Sequence, residues 1–491
     1  MTDQLRVAIV HYHFNPGGVT RVIDNAVTAL RYEGIESAVL VGDVPSDTTF
    51  PMENVRLVDG LSYNTVPDDY VPSHLIHSLF SAAESVLGGP PDLWHFHNHT
   101  LGKNQVIPFI VRELAEEGHH LLLQIHDFAE DGRPSNYHLL YEELARADMK
   151  ALGRSLYPQA AHVHYATLNG RDYRFMAGAG VPEERLHLLP NAIWMDQDQP
   201  HEPEPPPAHD GQFYLYPTRA IRRKNLGEFL LWAALGKDHE RFATTLIPRN
   251  PVERKFHDFW VDVARELALP IEFGIGHSSR ARFADLVRSA DSLVTTSMAE
   301  GFGLAFLEPW VVGRPVMGRK IPEITVEFEE AGICLNTLYE RLDVPVEWVG
   351  LDALRERVRE GMASFLEAYG RSVEERDVEA AMGDMVNDGY VDFGRLDEPL
   401  QAKVIRKAAA DSSLRDHISP SALQLPNDFA STVDHNRAIV LEQFGIEQYG
   451  TRLASIYGSV LKSAPEKPGP LDAAALLNRF LDPTRFTLLR T

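Results

Sequence analysis

The chain has 491 residues, too many for one ordinary core, so two large domains or three smaller ones are expected. Hydrophobic residues make up 44% and charged residues 24%, an ordinary globular balance that argues against a disordered or fibrous chain. With 47 basic and 70 acidic residues the formal net charge is −23, which repels nucleic acid and anionic lipid headgroups and removes both as default partners.

The N-terminus, Met1-Thr2-Asp3-Gln4, runs at once into the β-rich segment Leu5–Val10, without the basic and long apolar parts of a secretory signal. Helical spacing over Val19–Tyr32 and a strand at Ala38–Val41 follow. Further strands are predicted at Leu93–Phe96, Leu121–Ile125, Val163–Thr167 and Leu186–Leu189, with helices such as Asn104–Glu117 and Tyr137–Leu152 between them. Alternation of this kind builds a parallel sheet covered on both faces.

His201-Glu202-Pro203-Glu204-Pro205-Pro206-Pro207 can join neither a helix nor a central strand, so 198–211 reads as a linker between domains. A second series then begins. Its strands are Phe213–Tyr216, Thr244–Ile247, Ile271–Phe273, Ser292–Thr295 and Pro315–Met317. Its helices are Asn225–Ala234, Val252–Leu267, Ala281–Ser289 and one near Gly303–Val312. After Cys334 the rhythm stops. That cysteine is the only one, which excludes an internal disulfide and fits a reducing, cytoplasmic setting. Residues 336–432 read as a mostly helical insertion and 434–461 as helix again. No run of about 18 apolar residues occurs, so no membrane span is expected. The predicted organisation is therefore an α/β chain with doubly wound domains at 1–197 and 212–335, an insertion at 336–432 and a C-terminal part at 433–491. Ligands of such sheets sit at the carboxyl ends of the strands, here in a cleft between the two domains.

Four constellations lie at those ends. Glu300-Gly301-Phe302-Gly303-Leu304-Ala305-Phe306-Leu307-Glu308 follows a strand and opens a helix. Its carboxylates suit sugar hydroxyls and its helix start suits a diphosphate, although an acidic helix start also simply complements the dipole. Thr218-Arg219-Ala220-Ile221-Arg222-Arg223-Lys224-Asn225 places an arginine and a lysine five positions apart. They can neutralise a diphosphate leaving group, and a solvated basic turn is the plain alternative. His13-Phe14-Asn15-Pro16-Gly17-Gly18-Val19 allows a tight turn with backbone N–H groups facing the cleft. Histidines form the fourth group: His95, His97 and His99 near one strand, which Asn98-His99 is expected to leave, and His126-Asp127 at the end of another. The first three lack a Cys or Glu to complete a metal set, and no metal site is expected. His126 suits a hydrogen-bond donor in the cleft or a satisfied core histidine. No dinucleotide fingerprint, P-loop or nucleophile elbow is present.

In content and order these pieces resemble the retaining glycosyltransferases of family 4, which have the two-domain GT-B fold. Asn15-Pro16-Gly17-Gly18-Val19 is similar to that family's glycine loop. Leu189-Pro190-Asn191-Ala192-Ile193 is similar to its Pro-Asn-Gly-Val segment, with alanine for glycine. Arg219 and Lys224 look like its basic pair, and Ser297–Gly303 with Glu308 looks like its paired-glutamate motif. Gly313-Arg314-Pro315-Val316 and the Gln443–Tyr457 run also correspond. Pro309-Trp310 departs from the usual acidic-then-small pair.

The resemblance implies transfer of a hexose from a nucleotide-diphosphate sugar, which is a substrate, so no cofactor is expected. Glu308 would hold the ribose hydroxyls, Glu300 a sugar hydroxyl, and Arg219 and Lys224 the departing diphosphate. Gly301, Phe302, Gly303, Leu304 and Asn191 would line the donor site. His126 would touch the sugar, and Gly17 and Gly18 would approach the diphosphate. A small soluble acceptor, such as a sugar acid or compatible-solute precursor, is expected, with Arg21, Lys103 and Arg133 as candidates to bind it; a glycan is the alternative. A phosphorylase of similar fold, a nucleotide-sugar epimerase and a non-catalytic nucleotide-sugar-binding protein are the competing readings.

Overall fold

The structure, a computed structural model, describes residues 4–15, 17–45, 52–66, 71–193, 211–278, 283–425 and 429–490. Of the Pro-rich junction expected at 198–211, all but Gly211 lies outside the described residues. The chain divides into two compact units. The first is Met1–Trp194 with Phe444–Leu481, and the second is Met195–Gln443 with Asp482–Thr491.

The first unit is built on a seven-stranded parallel sheet. Its order is Val55–Leu57, Glu36–Val41, Arg6–Val10, Leu93–His97, Leu121–Ile125, Val163–Thr167, Leu186–Leu188. The three strands starting at Leu93, Leu121 and Val163 are buried at every residue, as parallel strands covered on both faces must be. Helix Gly18–Tyr32 buries Val22, Ile23, Ala26, Val27 and Leu30 on one stripe. Helix Ile446–Leu461 adds Tyr449, Leu453, Tyr457 and Val460 to the same core. The sequence suggests one helix over 434–461. The structure has two, Phe429–Phe444 and Ile446–Leu461, because Gly445 takes an extended ψ of 165°. The chain changes unit at this break.

Tyr137–Leu152 is likewise not one helix. Pro134–His138 passes into a π-helical turn at Leu139–Leu144, and Arg146 and Ala147 then take φ of 52° and 59°. Asp148 starts a new helix, Met149–Leu156, by accepting from the N–H groups of Lys150 and Ala151. The tail, without readable periodicity, continues in the first unit as far as Leu481. Gly469–Pro470 pairs with Pro158–Gln159, and helix Ala473–Phe480 sets Phe480 4.9 Å from Phe128 and 5.0 Å from Phe175, between ring centres.

The second unit holds a six-stranded parallel sheet in the order Ile271–Glu272, Glu240–Leu246, Gln212–Arg219, Ser292–Thr295, Val316–Arg319, Leu338–Tyr339. The last strand lies beyond residue 335, so the parallel sheet extends past the point where the β/α rhythm of the sequence stops. The following region is not purely helical either. Asp343–Pro345, Tyr390–Asp392 and Val386–Asn387 form an antiparallel sheet among the helices Leu351–Glu367, Glu375–Met385 and Glu398–Ala410. Strands of two or three residues are too short to show a period of two.

A buried ionic network ties this region to the parallel sheet. Arg319, at the end of its strand, donates to Glu228 at 2.7 and 3.0 Å and to Asp392 at 2.7 and 3.0 Å. Tyr339 donates to Glu228 at 2.8 Å, and Trp232 donates to the Tyr339 hydroxyl at 2.7 Å. All three charged side chains are 3% exposed or less, so the network is dry and its charges depend on one another.

Both sheets have the doubly wound order in which the strand sequence reverses beside the first strand of each unit. In the first unit the reversal lies between Arg6–Val10 and Leu93–His97. In the second it lies between Gln212–Arg219 and Ser292–Thr295. Among the described residues, no helix is long and apolar enough to cross a membrane.

Candidate active site

In the second unit the two strands at the reversal point deliver the basic run and the glutamate run to adjoining loops. Gln212–Arg219 ends on Arg219, which is exposed, and Arg222–Lys224 makes a single 3-10 turn. Asn225 takes φ 51° and starts helix Leu226–Leu235. The facing loop is fastened to this turn. Thr296 donates its hydroxyl to the carbonyls of Lys224 and Asn225 at 3.1 and 2.9 Å, and Tyr216 donates to the Lys224 carbonyl at 3.0 Å. The Met298 N–H donates to the Arg223 carbonyl at 2.9 Å. Residues far apart in sequence are thereby held by a ladder of main-chain acceptors.

This ladder brings Lys224 into a direct ion pair with Glu300. Arg223 donates to the Ala299 carbonyl at 2.8 Å and lies 3.9 Å from the other Glu300 oxygen. The side chains of Lys224 and Glu300 are only 16% and 10% exposed, so the pair is largely shielded from water. Burial would raise the Glu300 carboxyl, but the Lys224 ammonium, with help from Arg223 and the Ser297 hydroxyl, holds it below the usual range. Burial pushes the Lys224 ammonium down, and Glu300 restores only part of the loss. The result is a charged, pre-organised pair at the mouth of the sheet.

Arg222 goes elsewhere. It forms a bidentate pair with Glu398, stacks over Phe256 at 4.3 Å and donates to the Leu488 carbonyl at 3.2 Å. Of the three consecutive basic residues, it therefore holds the helical region in place, while Arg223 and Lys224 attend Glu300. The sequence reading gave Arg223 no role of its own; the signal available was its adjacency to Lys224.

Glu308 is half-buried and begins the one-turn helix Glu308–Val311. The expected continuous helix near Gly303–Val312 is broken: Gly303 at φ 98° opens a separate 3-10 turn, Leu304–Phe306. Glu308 thus sits at a helix start rather than two turns inside one. Phe302 is buried against Phe328, with ring centres 5.6 Å apart, while Gly301 and Leu304 are half-buried. A β-carbon on Gly303 would lie 2.8 Å from Phe306 and 3.0 Å from Ile324. Gly303→Ala is therefore expected to cost about 1–3 kcal/mol in urea denaturation, from backbone strain and the clash together.

The first unit carries the other candidates. Its reversal point is lined by histidines. His97 Nδ1 is 2.9 Å from His126 Nε2, and the two rings stack with an interplanar angle of 20°. His95 contacts the Tyr457 hydroxyl at 2.8 Å and Gln124 at 3.0 Å, while His99 contacts the Leu156 carbonyl at 2.7 Å. His95, His97 and His99 therefore each bond to different partners, and His99 lies beyond the end of the strand Leu93–His97. Among the described residues, no group of three or more His, Cys, Asp or Glu side chains is disposed to hold a metal ion. Asn98, at φ 65°, shapes the loop after His126: its Oδ1 accepts from the His126 and Asp127 N–H groups at 3.2 and 2.8 Å.

Burial, the largest influence throughout, lowers His11 and His95 to about 3 and His126 and His99 to about 4, and it pushes His97 well down. Each is neutral in the fold and protonates on unfolding below the ordinary 6.5, so the unfolded chain binds more protons as pH falls. Glu130, raised by burial to about 7 and contacted by Tyr157, acts in the opposite sense, as do the Asp24 and Asp172 carboxyls, which burial also raises. The histidines outnumber these three. The first unit is expected to keep full stability above pH 6.5 and to lose it progressively toward pH 4, which hydrogen exchange of first-unit peptides, corrected for the intrinsic pH dependence of exchange, would show across that range.

Gly17 precedes helix Gly18–Tyr32 with no side-chain cap, and a β-carbon at Gly18 would meet nothing within 4 Å. Asn191 is buried and its Oδ1 has no partner. Of the three acceptor candidates, Arg133 is already paired with Asp127 and donates to the carbonyls of Phe128 and Asp131 at 3.0 and 3.2 Å. Lys103 is exposed, and Arg21 is half-buried in the first turn of its helix.

No family model matches the chain. The chain is 24% identical over 470 residues to a glycosyltransferase, mannosylglucosyl-3-phosphoglycerate synthase of Petrotoga mobilis, covering 91% of this chain and 89% of that one. Among solved structures it is similar to Anabaena HepE in complex with UDP and glucose (TM-score 0.53, 12% identity, 93% of this chain and 100% of that one). It is also similar to sucrose-phosphate synthase from Thermosynechococcus elongatus (TM-score 0.53, 13% identity, 93% and 98%) and to a glycosyltransferase from Rickettsia africae (TM-score 0.55, 11% identity, 94% and 99%). At these identities the likeness is one of fold: the chain has the GT-B fold, with two Rossmann-like domains.

Proposed function

We propose that this GT-B chain is a hexosyltransferase that takes its sugar from a nucleotide diphosphate and adds it, with retention at the anomeric carbon, to a small anionic acceptor. The observation that carries the reading is the shielded Lys224–Glu300 pair, flanked by Arg223, in loops joined at the reversal point of the second sheet. Breaking the anomeric bond leaves negative charge on the diphosphate. Lys224 and Arg219 oppose that charge from fixed positions, which is worth more than the same cations in water. Glu300 accepts from a sugar hydroxyl and Glu308 from the ribose, as their acceptor-only oxygens allow. Gly301, Phe302, Gly303 and Leu304 bring backbone close to phosphate and sugar.

For the first unit the reading assigns His126 to the sugar ring, Gly17, Gly18 and Asn191 to the donor, and Arg21, Lys103 and Arg133 to the acceptor. The relative's name describes a product in which two sugars are joined to 3-phosphoglycerate, so a sugar phosphoglycerate is the acceptor class to test first. Cationic side chains do the work a metal does in other transferases, and activity is expected to survive a chelator.

The test begins with a thermal-shift screen of nucleoside diphosphates and then of nucleotide sugars, since a ligand of the folded state raises the melting point. Donors that bind are then incubated with glucosyl-phosphoglycerate and related sugar acids, and the product's anomeric configuration is read by proton NMR. A new glycosidic bond with the donor's configuration supports the reading. Inversion overturns the retaining part. Cleavage of a glucoside by inorganic phosphate without any nucleotide would replace the transferase with a phosphorylase.

A further inference from the structure

Resting on the assignment of His126 to the donor sugar, we infer that His97 is a positioning residue that fixes the tautomer of His126, so that His126 presents Nδ1–H to its ligand. His97 Nδ1 and His126 Nε2 are 2.9 Å apart in a buried stack, and exactly one of the two neutral rings can supply the shared hydrogen.

The rest of His97 decides which. Its Nε2 is buried and has no partner. Were His126 to donate, His97 would have to carry its own hydrogen on that Nε2, leaving an orphaned N–H in a dry place. Buried N–H groups without an acceptor are the rarer kind of unsatisfied group. With the hydrogen on His97 Nδ1, the orphan is only a ring lone pair. His126 Nε2 then accepts, and the His126 hydrogen must be on Nδ1.

His97 is itself well held. It sits on the fully buried strand Leu93–His97, its carbonyl is 3.3 Å from His11 Nδ1, and its ring lies 4.2 Å from that of His95. His95 is fixed in turn by Gln124 and by Tyr457 from helix Ile446–Leu461. The His126 main chain is clamped by Asn98. The His126 ring is thus held by its main chain on one side and by the stacked, hydrogen-bonded His97 on the other, and His97 sets its proton position. A donor at Nδ1 is the arrangement that suits phosphate and sugar oxygens, which accept.

Two measurements on the full chain test this. Protein labelled with 15N-histidine, with His126→Gln used to assign the ring, is expected to show His126 protonated on Nδ1 and bare on Nε2. In His97→Phe, which keeps an aromatic ring in the stack, the His126 hydrogen is expected to distribute over both nitrogens. The second measurement is kinetic. Asparagine can place an amide N–H near the position of Nδ1, so His97→Asn is expected to keep kcat within a few-fold of wild type. His97→Phe is expected to lose about 10- to 100-fold in kcat at unchanged acceptor KM.

A wild-type His126 bearing its hydrogen on Nε2 overturns the inference, as does a His97→Phe variant with unaltered kcat. Should His97→Phe not fold, the wild-type ring spectrum decides alone. A chain with no transferase activity but with His126 in the Nδ1–H form would remove the proposed function and leave the positioning role intact.

Discussion

Lys224→Ala is expected to lower kcat by about 100- to 1,000-fold while the protein still folds, because it deletes a fixed positive charge at the departing diphosphate. The variant also has a structural consequence. Glu300 is left shielded, with Arg223 at 3.9 Å as the remaining cation. Its carboxyl, now held below the ordinary range by Lys224, is expected to rise once that ammonium is gone, because burial then acts with only Arg223 and the Ser297 hydroxyl opposing it. Some stability is lost with the pair, on the order of 1–3 kcal/mol.

Arg219→Ala separates the two effects. Arg219 is exposed at the strand end, so its removal is expected to change stability by about 1 kcal/mol or less, the range of an exposed side chain's contacts. If it acts on the leaving group, kcat falls by the same order as in Lys224→Ala. Steady-state kinetics with the nucleotide sugar, paired with urea denaturation, resolves the question. Wild-type kcat in both variants would reduce the Lys224–Glu300 pair to a structural contact.

Arg319→Met is expected to be the most destabilising single change, at about 3–5 kcal/mol, since it strands two buried carboxylates. Burial already pushes Glu228 up, with Arg319 limiting the rise. Burial would push Asp392 up as well, but there Arg319 prevails and holds the carboxyl below its usual range. Without the guanidinium one or both must protonate or be hydrated, and the short antiparallel sheet that carries Asp392 loses its anchor to the parallel sheet. A two-unit chain need not unfold in one step, so a single melting temperature is a poor measure. Hydrogen exchange resolved by peptide is the better one: protection should fall around Glu228, Arg319 and Asp392 and stay unchanged in the first unit. Replacing all three by apolar residues of similar volume is expected to recover much of the loss, as a pair removed whole leaves no unpaired charge.

These expectations rest on features of unequal legibility. The two parallel sheets were readable except for the short edge strands Val55–Leu57 and Leu338–Tyr339, because the longer buried strands are largely apolar runs and helices such as Gly18–Tyr32 keep a clear stripe. Breaks inside helices were not. Gly445, the left-handed Arg146 and Ala147, and Gly303 each interrupt a pattern that remains helical in composition on both sides. The antiparallel strands around residues 343–392 were illegible because two or three residues carry no periodicity.

The same division holds for the candidate site. Which residues carry chemistry is written in the local sequence: loops after strands, glycines beside carboxylates, and a cluster of cations in an otherwise acidic chain. Local sequence also fixes the sheets, through the alternation of apolar runs and amphipathic helices. Which residues meet is decided by strand order and register, which join segments 76 positions apart in the case of Lys224 and Glu300 and 29 in the case of His97 and His126. Three adjacent cations look equivalent in one dimension. Packing gives Arg222 to Glu398 and leaves Arg223 and Lys224 to Glu300, because a side chain's partner is set by the direction its backbone faces and the distance it can reach.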